Sequence, residues 1–319
     1  MRPHSSLLAA VAVLAIGGVL SVLLADYQLR LLNISVISAI AVIGFNFAFG
    51  LAGLISLGHA AFVGMGAYTL AIVTTTLGLS PWAAIPLAIT LTTVFAGLIG
   101  YPLLRLRGHY LALATLGLNV SFTIVLTNWV GLTGGTNGIS NIPDLRIAGF
   151  AFHDERRFLW LAMVFLAACT AAAVTLQRSS LGRAMMAVRD DEIAAEMTGI
   201  DVTRIKIIAL CLSAAFAALA GALFATHVRF VAPEDFSYAH SIVYLAMLIV
   251  GGEGTVIGAI IGATLLTFLP EWLRFLGTAY LAFFGLMLLV ILIFLPTGLV
   301  GLISRLRRGK RASKWGSMP

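Results

Sequence analysis

The stretch Arg178–Lys206, RSSLGRAMMAVRDDEIAAEMTGIDVTRIK, is a polar, helix-prone island between apolar segments of membrane length. Ten of its residues are charged, five of each sign. Its contrast with the rest of the chain indicates a membrane protein whose polar surface is concentrated in a few connections. A loop that only joined two helices would need about 2–8 residues. The island therefore has the length and charge of a surface that another protein binds on one side of a membrane.

The overall composition excludes a soluble globular protein. Of the 319 residues, 60% are hydrophobic and 10% are charged, whereas a soluble domain has about 25% charged residues. Because so few polar groups cannot cover a globular surface, the sequence predicts an all-α polytopic membrane protein. No polar stretch is long enough for a soluble domain, so residues 1–319 are expected to form a single membrane domain. Cys169 and Cys211 lie in apolar segments, which favours core packing over a disulfide or metal site.

About ten segments approach the roughly 20 apolar residues that a helix needs to cross the hydrocarbon. They are Leu7–Ala25, Leu31–Phe49, Phe62–Leu77, Trp82–Leu104, Leu111–Val130, Phe158–Leu176, Ile207–Thr226, Ser241–Val250, Thr255–Phe275 and Tyr280–Leu295. The first is expected to be a retained helix, because no small-residue cleavage site follows it. Ser241–Val250 is too short to cross alone, and glycines interrupt Leu51–Ala61. Either can be a re-entrant or unwound piece enclosed by protein, so the count of spans stays between nine and eleven.

The distribution of Lys and Arg predicts the orientation. With both termini on the inside, 14 of the 20 Lys and Arg residues fall on that side, together with the island and the basic tail 305–319. Short inner loops of membrane proteins carry such an excess of positive charge. The net charge of +7 therefore reflects topology, and no nucleic-acid partner is expected. The tail can also contact anionic lipid. Two long polar loops, Gly131–Arg157 and His227–His240, are placed outside.

Two strips of small residues, spaced four apart, allow helices to approach closely. They are Ser213, Ala217 and Gly221 in one segment, and Gly254, Gly258 and Gly262 in another. Small side chains let backbones pack closely in lipid, where the hydrophobic effect does little to bring helices together. Packing within this chain is the favoured interpretation, and an interface with a second subunit is the alternative.

The sequence of the island predicts two short helices followed by the start of a membrane span. The first covers Leu181–Arg189, and the second ends at Gly199, a residue suited to a left-handed helix stop. Short polar side chains that accept hydrogen bonds from the first free N–H groups can begin each helix. These capping residues are Ser179 or Ser180, then Asp190 or Asp191, and Asp201 for the next span.

Four apolar side chains of the island can contact a partner protein. They are Met185, Met186, Ile193 and Met197. Methionine is adaptable and suits a surface that repacks against a moving protein. The alternative is that these side chains pack onto the underside of this same chain.

Five stretches, in the same order as in a known family, carry a resemblance. They are GLAGLISLGHAAFVGMGAY at Gly50–Tyr68, GHYLALATLGLN at Gly108–Asn119, LTGGTNGI at Leu132–Ile139, the island over Leu181–Arg204, and GGEGTVIGAIIGA at Gly251–Ala263. On these stretches the chain resembles the M-type permease subunit of the high-affinity branched-chain amino acid ABC importers. The resemblance extends over most of the chain.

The resemblance implies a set of partners and a location. Such a permease pairs with a homologous H-type permease in the bacterial cytoplasmic membrane. Two cytoplasmic ATPase subunits consume ATP with Mg²⁺, and an extracytoplasmic binding protein delivers the substrate. Branched-chain amino acids are the expected substrates. Similar systems move other amino acids, urea or short amides, which remain alternatives.

The island resembles the EAA coupling loop of ABC importers, which binds the ATPase subunits. Its Ala-Ala core and the glycine that follows after three intervening residues match at Ala194, Ala195 and Gly199, whereas Glu192 lies one residue further upstream than the usual glutamate. The residues expected to couple this chain to an ATPase are Arg183, Met185, Met186, Arg189, Ala194, Ala195 and Gly199.

No site for chemistry is visible in the sequence. The glycine-rich stretch Gly134–Gly138 lacks the lysine of a phosphate-binding loop, and the histidines do not have metal-ligand spacing. The chain is therefore expected to be no enzyme, to hold no cofactor or metal, and to leave ATP to its partners. An ion-coupled secondary transporter and an intramembrane enzyme are the other classes considered. Both need ionisable residues inside the spans, and none of the 13 acidic residues clearly falls there.

Polar residues within or beside apolar segments are the candidates for a transport pathway. They are Asn46, Ser56, His59, Tyr68, Thr115, Asn119, Ser121 and Glu253. The alternative for each is a hydrogen bond between helices. Glu253 lies in a glycine-rich turn near the predicted inner face, where a carboxylate is easily solvated.

Outward-facing cations are the candidates for docking the binding protein. They are Arg146, Arg156, Arg157 and Arg229. The alternative is that Asp154 and Glu155 neutralise Arg156 and Arg157 locally.

Overall fold

A computed structural model describes residues 25–106, 108–147, 150–274, 285, 286, 289 and 298–301. Within them the chain is helical. The helices are α1 (Asp26–Phe45), α2 (His59–Thr75), α3 (Pro81–Leu103), α4 (His109–Asn128), α5 (Val130–Thr133), α6 (Glu155–Arg178), α7 (Ser180–Asp190), α8 (Glu192–Met197), α9 (Val202–Val228), α10 (Tyr238–Gly251) and α11 (Val256–Trp272). A π-helical turn covers Asn46–Leu51, and 3₁₀ turns cover Gly135–Asn137 and Pro233–Phe236.

Four strands of two residues each form two antiparallel pairs. β1 (Ile139–Ser140) pairs with β4 (Phe230–Val231), and β2 (Arg146–Ile147) pairs with β3 (Phe150–Ala151). The first pair joins the two long polar loops to each other.

Five helices are long and apolar enough to cross a membrane. They are Asp26–Leu51, Pro81–Leu103, His109–Asn128, Glu155–Arg178 and Val202–Val228. The shorter apolar helices are α2, α10 and α11. These eight coincide with eight predicted segments, which confirms an all-α polytopic membrane protein without establishing the number of spans. The predicted segments Leu7–Ala25 and Tyr280–Leu295 and the tail 305–319 lie wholly or almost wholly outside the described residues.

The helices α1 and α9 form the centre of the bundle. Helix α9 packs against α1, α2 and α3, while α1 also packs against α6 and α11. A Cβ added at Gly221 of α9 would overlap the carbonyl of Val63, and one at Gly66 of α2 would overlap the backbone of Ala218. Ser213 and Ala217 are buried in the same contact region. The first small-residue strip therefore packs within this chain, as predicted.

The second strip is only partly as predicted. Gly258 and Gly262 of α11 lie against the backbone of α10, at Gly251 and Met247. Gly254 is not on that helix face, because it lies in the turn before α11 with a φ of 75°. Thr255 ends this turn and caps α11 by accepting a hydrogen bond from the Gly258 N–H. The prediction was wrong for Gly254, since the spacing of four continued across a turn.

The chain is unwound between α1 and α2, over residues 52–58. The N–H groups of residues 52–54 donate to carbonyls of the π-helical turn, whereas side chains accept from N–H groups nearer the start of α2. Thr115 Oγ1 accepts from Leu57 N at 2.9 Å, and Ser241 Oγ accepts from Ala60 N at 2.9 Å. Helices α4 and α10 thus enclose this stretch and hold the start of α2, which is how irregular backbone is tolerated in a membrane. Over residues 238–251, by contrast, α10 is a continuous helix.

Candidate coupling surface and transport core

The bundle has two ends, which α6 connects. Its last residue, Arg178, leads directly into α7 and α8 at what we call the island end, and its first, Glu155, lies at the opposite end beside the polar loops. Helix α9 returns from the island end at Val202 to the opposite end at Val228. The two sets of candidate partner-binding residues are therefore separated by the length of the bundle.

Local sequence explains the shape of the island. Ser179 Oγ accepts from the Gly182 N–H at 3.4 Å and begins α7. Asp191 Oδ1 accepts from Ile193 N at 2.9 Å and from Ala194 N at 3.0 Å, so it caps α8. Of the capping residues considered, Ser179 and Asp191 fill this role. Asp201 caps α9 as predicted, through the Arg204 N–H at 2.9 Å.

Helix α8 ends at Met197, two residues before Gly199. Gly199 has a φ of 85°, and an added Cβ there would meet no atom within 4 Å. The backbone at position 199 therefore adopts the left-handed conformation that favours glycine, and no neighbouring atoms cover it.

The two island helices differ in which side chains they expose. On α7, Met185 and Val188 are buried against the bundle, and Met186 is half-buried. On α8, Ile193 is 68% exposed and Met197 is 84% exposed. The expectation that Met185 is presented to a partner was wrong, because the apolar side of α7 faces its own chain. Ile193 and Met197 are one helical turn apart and form the exposed apolar face.

The remaining candidates of the island divide in the same way. Arg183, Arg189, Ala194 and Gly199 are exposed, whereas Ala195 is buried. Arg183 donates from Nη1 to the Arg178 carbonyl at 2.9 Å, within its own segment. The exposed set forms a surface of mixed apolar and cationic character.

Helix α8 is anchored to α9 by an ion pair. Lys206 Nζ lies 2.5 Å from Glu192 Oε1, and the Lys206 side chain is only 9% exposed. The glutamate that departs from the family spacing thus has a structural partner. A hollow of about 390 Å³, lined among others by Glu192, Ile193, Glu196 and Lys206, lies beside the pair.

Arg189, near the end of α7, connects the island to two other elements. Its Nη2 lies 2.7 Å from Glu253 Oε1, in the turn between α10 and α11. Its Nη1 donates to the carbonyl of Gly50, near the end of the π-helical turn. A Cβ at Gly53 would lie 3.2 Å from Arg189 Cγ, so the glycine there permits this approach.

Gly254, next to Glu253, receives two further contacts. Its N–H donates to Asn46 Oδ1 at 2.8 Å, and its carbonyl accepts from Gln177 Nε2 at 2.6 Å. Helices α6 and α7, the end of α1 and the α10–α11 turn therefore meet at one point. We call this cluster the polar junction; its members are Asn46, Gly50, Gln177, Arg189, Glu253 and Gly254.

His59 is a packed core residue with both ring nitrogens within reach of partners. Its Nε2 lies 2.9 Å from the Ala41 carbonyl, and its Nδ1 lies 3.3 Å from Ser213 Oγ. The ring stacks on Phe45 with centroids 4.6 Å apart and meets the edge of Tyr244 at 5.7 Å. These contacts fit the alternative of helix packing.

Other polar candidates lie around the start of α2. Ser56 Oγ accepts from Gly58 N at 3.3 Å, and Thr115 caps Leu57 as described above. Asn119 Nδ2 donates to Ser241 Oγ at 3.1 Å. Among the described residues the Asn119 Oδ1 and Tyr68 OH atoms have no hydrogen-bond partner, although both residues are buried. Ser121, also on α4, is exposed.

At the opposite end, two of the four candidate docking arginines already have partners. Arg229 Nε lies 2.7 Å from Asp144 Oδ1, and its Nη2 donates to the His153 carbonyl at 3.3 Å. Arg157 Nε lies 3.0 Å from Asp154 Oδ2. These contacts tie the two polar loops together and fix the start of α6.

Glu155 does not neutralise the arginine pair. Its carboxylate accepts from Asn33 Nδ2 at 2.9 Å and lies 3.5 Å from His227 Nε2, on the inner side of the bundle end. Arg156 and Arg146 are exposed. Local neutralisation therefore applies to Arg157 and Asp154. Both of these residues, together with Arg156 and Glu155, line an open hollow of about 570 Å³.

The comparisons with known proteins agree with this architecture. Residues 27–295 match the family described as the branched-chain amino acid transport system, permease component. That match covers most of the chain, including the polar junction and the island. The chain belongs to this family.

Individual relatives are similar over most of this permease sequence. It is 37% identical over 281 residues to the permease protein LivM of Salmonella typhimurium and 36% identical over 291 residues to LivM of Escherichia coli. These alignments cover 81% and 84% of this chain, and 66% and 68% of the two relatives. LivH of Escherichia coli is 26% identical over 286 residues, covering 82% of this chain and 91% of LivH. No solved structure matches the chain at a significant level.

Several contacts around the candidate sites could not be found by sequence reasoning. Gln177, Ser241 and Asp144 were not singled out, yet Gln177 bonds Gly254 beside Glu253, Ser241 bonds the start of α2, and Asp144 pairs with Arg229. Their partners lie between 77 and 181 residues away in the chain. No local pattern signals such pairs.

Proposed function

We propose that this chain is the M-type permease subunit of an ABC importer that moves branched-chain amino acids across the bacterial cytoplasmic membrane. The similarity to two LivM proteins at 36–37% identity supports the substrate class. Other amino acids, urea and short amides are the alternative substrates. The observation that carries the proposal is the island, because the capped helix α8 and the turn after it present Ile193, Ala194, Met197 and Gly199 together at one end of a membrane-length bundle.

The island end is proposed to bind the cytoplasmic ATPase subunits. Its exposed apolar pair, Ile193 and Met197, can fill a groove, and the open surface at Gly199 allows a partner backbone to approach. The buried faces of α7 and α8 attach the same surface to the bundle. ATP and Mg²⁺ would be bound by those partner subunits, and this chain would contribute no catalytic residue.

The second permease is proposed to be a homologous H-type chain. The 26% identity to LivH over 286 residues supports a pair built from two copies of one architecture. Such a pair would present two islands, one to each ATPase subunit. The lipid bilayer surrounds the rest of the bundle.

The opposite end is proposed to receive an extracytoplasmic binding protein. Arg146 and Arg156 are exposed there and can attract carboxylates on that protein. Complementary charge of this kind increases the encounter rate more than the final affinity. The predicted orientation, with the island and both termini in the cytoplasm, is part of this proposal.

An ion-coupled secondary transporter is less well supported. Such a protein needs ionisable side chains inside its spans to bind the coupling ion. Among the described residues, no Asp or Glu is buried. The one buried Lys or Arg among them is Lys206, which lies at the island end and not within the core. The core instead contains neutral hydrogen-bonded groups.

Purification and transport would test the function directly. A tagged chain extracted from its native membrane should bring with it a second permease and two ATPase subunits. The reconstituted complex with the binding protein should take up labelled leucine, isoleucine or valine only when ATP is present. Uptake driven by an ion gradient without ATP would overturn the proposal, and uptake of urea alone would replace the substrate class.

A further inference from the structure

We propose that Arg189 is the positioning residue through which movement of the island is transmitted to the transport core. This inference rests on the proposed function and deepens it. It assigns the coupling to one side chain and to the polar junction that this side chain completes. Arg189 contacts neither the substrate nor ATP in this proposal.

The geometry of Arg189 is suited to joining two elements that are otherwise separate. One guanidinium nitrogen reaches the Gly50 carbonyl and the other reaches Glu253. The chain distance from Arg189 to these partners is 139 and 64 residues. A guanidinium presents a rigid fork of donors, so a shift of α7 displaces both bonds together.

The Gly50 carbonyl is a suitable acceptor for a cation. It lies near the end of the π-helical turn Asn46–Leu51, beyond which the chain is unwound. Carbonyl groups at the end of a helix lack helical partners and attract positive charge. Single π-helical turns are frequent at functional sites, where the hydrogen-bond register of a helix changes.

Glu253 connects the same side chain to the hairpin of α10 and α11. Helix α10 contributes Ser241, which holds the start of α2 and the Asn119 side chain. A movement of the turn at Glu253 and Gly254 would therefore reach the polar groups around the unwound stretch. This continuous path links the island to the neutral polar groups of the core.

The ion pair is also reversible, as a moving contact must be. The side chains of Arg189 and Glu253 are 33% and 36% exposed, so water competes for both. Met185 and Val188 bury the apolar side of α7 and hold the helix to the bundle independently. Loss of Arg189 should thus leave the island in place and remove mainly the link to the core.

The test measures transported substrate per ATP hydrolysed in the complete reconstituted complex. Arg189→Ala should retain ATP hydrolysis and lower this ratio about tenfold, within the usual range of coupling between sites. Arg105→Ala is the matched control, because Arg105 is an exposed arginine near the same end of the bundle, lies outside the island, and packs on the Tyr101 ring of its own segment. It should leave the ratio within about twofold of wild type.

Exchanging the charges of Arg189 and Glu253 tests whether their ion pair transmits movement or whether Arg189 only stabilises the fold. Arg189→Glu alone should impair the ratio at least as much as Arg189→Ala, since it places two carboxylates together. Adding Glu253→Arg should recover part of that loss, because the ion pair re-forms while the bond to the Gly50 carbonyl does not. Failure of the double variant to improve on Arg189→Glu would contradict the proposed role of the pair.

The outcomes distinguish this inference from the function on which it rests. A wild-type complex without ATP-dependent uptake would overturn the proposed function. A transporting wild-type complex with an unimpaired Arg189→Ala variant would overturn this inference alone. If Arg189→Ala does not assemble, Glu253→Gln decides the question, because it removes the charge and keeps the shape. An unchanged ratio in Glu253→Gln would then overturn the inference.

Discussion

Lys206 of α9 and Glu192 of α8 form an ion pair in which the lysine is buried and the carboxylate is half-exposed. The pair fixes the short helix α8 to the first turns of a membrane-length helix. Since α8 has only six residues, its own backbone hydrogen bonds cannot hold it in place. The orientation of Ile193 and Met197 towards a partner therefore depends on this contact.

The two halves of the pair should differ in their contribution to stability. Glu192→Ala leaves a buried ammonium without its partner, and we expect a loss of about 2–4 kcal/mol. Lys206→Met leaves a carboxylate that water can reach and replaces the lysine stem with an apolar one, so a loss under about 1 kcal/mol is expected. Thermal unfolding of the purified complex in detergent measures both. Equal losses would indicate that Lys206 is solvated by other groups.

Gly199→Glu should uncouple transport from ATP hydrolysis. The residue has a φ of 85°, which costs a side-chain-bearing residue about 1–3 kcal/mol, and the added charge lies on the proposed docking surface. Gly199→Asn is the matched control, because asparagine tolerates the left-handed conformation and adds no charge. ATPase stimulation and uptake in reconstituted vesicles report the effect. Wild-type coupling in Gly199→Glu would contradict the docking assignment.

Cysteine labelling should establish the orientation. In a background with Cys169 and Cys211 replaced by alanine, Thr136→Cys should react with an impermeant thiol reagent from outside the cell. Asp190→Cys should react only after the membrane is opened. Both positions are exposed, and Asp190 is chosen because Asp191 caps α8. The opposite labelling pattern would reverse the orientation and remove the island from the cytoplasm.

Arg156→Glu should weaken stimulation of the ATPase by the binding protein, most strongly at low salt. The residue is exposed and lines the hollow at the opposite end, and salt screens interactions between exposed charges. Arg157→Glu should have a smaller effect on half-saturation, because Arg157 already pairs with Asp154. Titration of the binding protein at two salt concentrations makes the comparison. Identical half-saturation for wild type and Arg156→Glu at both would exclude this docking site.

Gly221→Ala should destabilise the bundle, because its Cβ would overlap the Val63 carbonyl at the contact of α9 with α2. Overpacking of a tight core costs about 1–3 kcal/mol. Gly117→Ala on α4 is the control, since an added Cβ there meets no atom within 4 Å. The amount of intact protein in the membrane and its thermal unfolding measure the difference. Equal behaviour of the two variants would show that α9 can move away from α2.

Predictions from the sequence succeeded where the physics is local or imposed by the membrane. The caps at Ser179, Asp191 and Asp201 bond N–H groups two or three residues ahead, so adjacent residues decide them. Prediction from the sequence was wrong where it depended on which side of a helix packs against the rest of the chain. The burial of Met185 depends on which side of α7 meets the bundle, which no local pattern in the sequence specifies.

The sequence by itself determined a helical membrane protein, because hydrocarbon requires long apolar segments and satisfied backbone groups. It also determined the polar island, because five charges of each sign cannot lie inside a span. Only the tertiary structure decided that Arg189 meets both Gly50 and Glu253, since residues so far apart in sequence become neighbours only when the helices pack. It likewise decided that His59 is enclosed by core groups, because the packing of α1, α9 and α10 around α2 creates that environment.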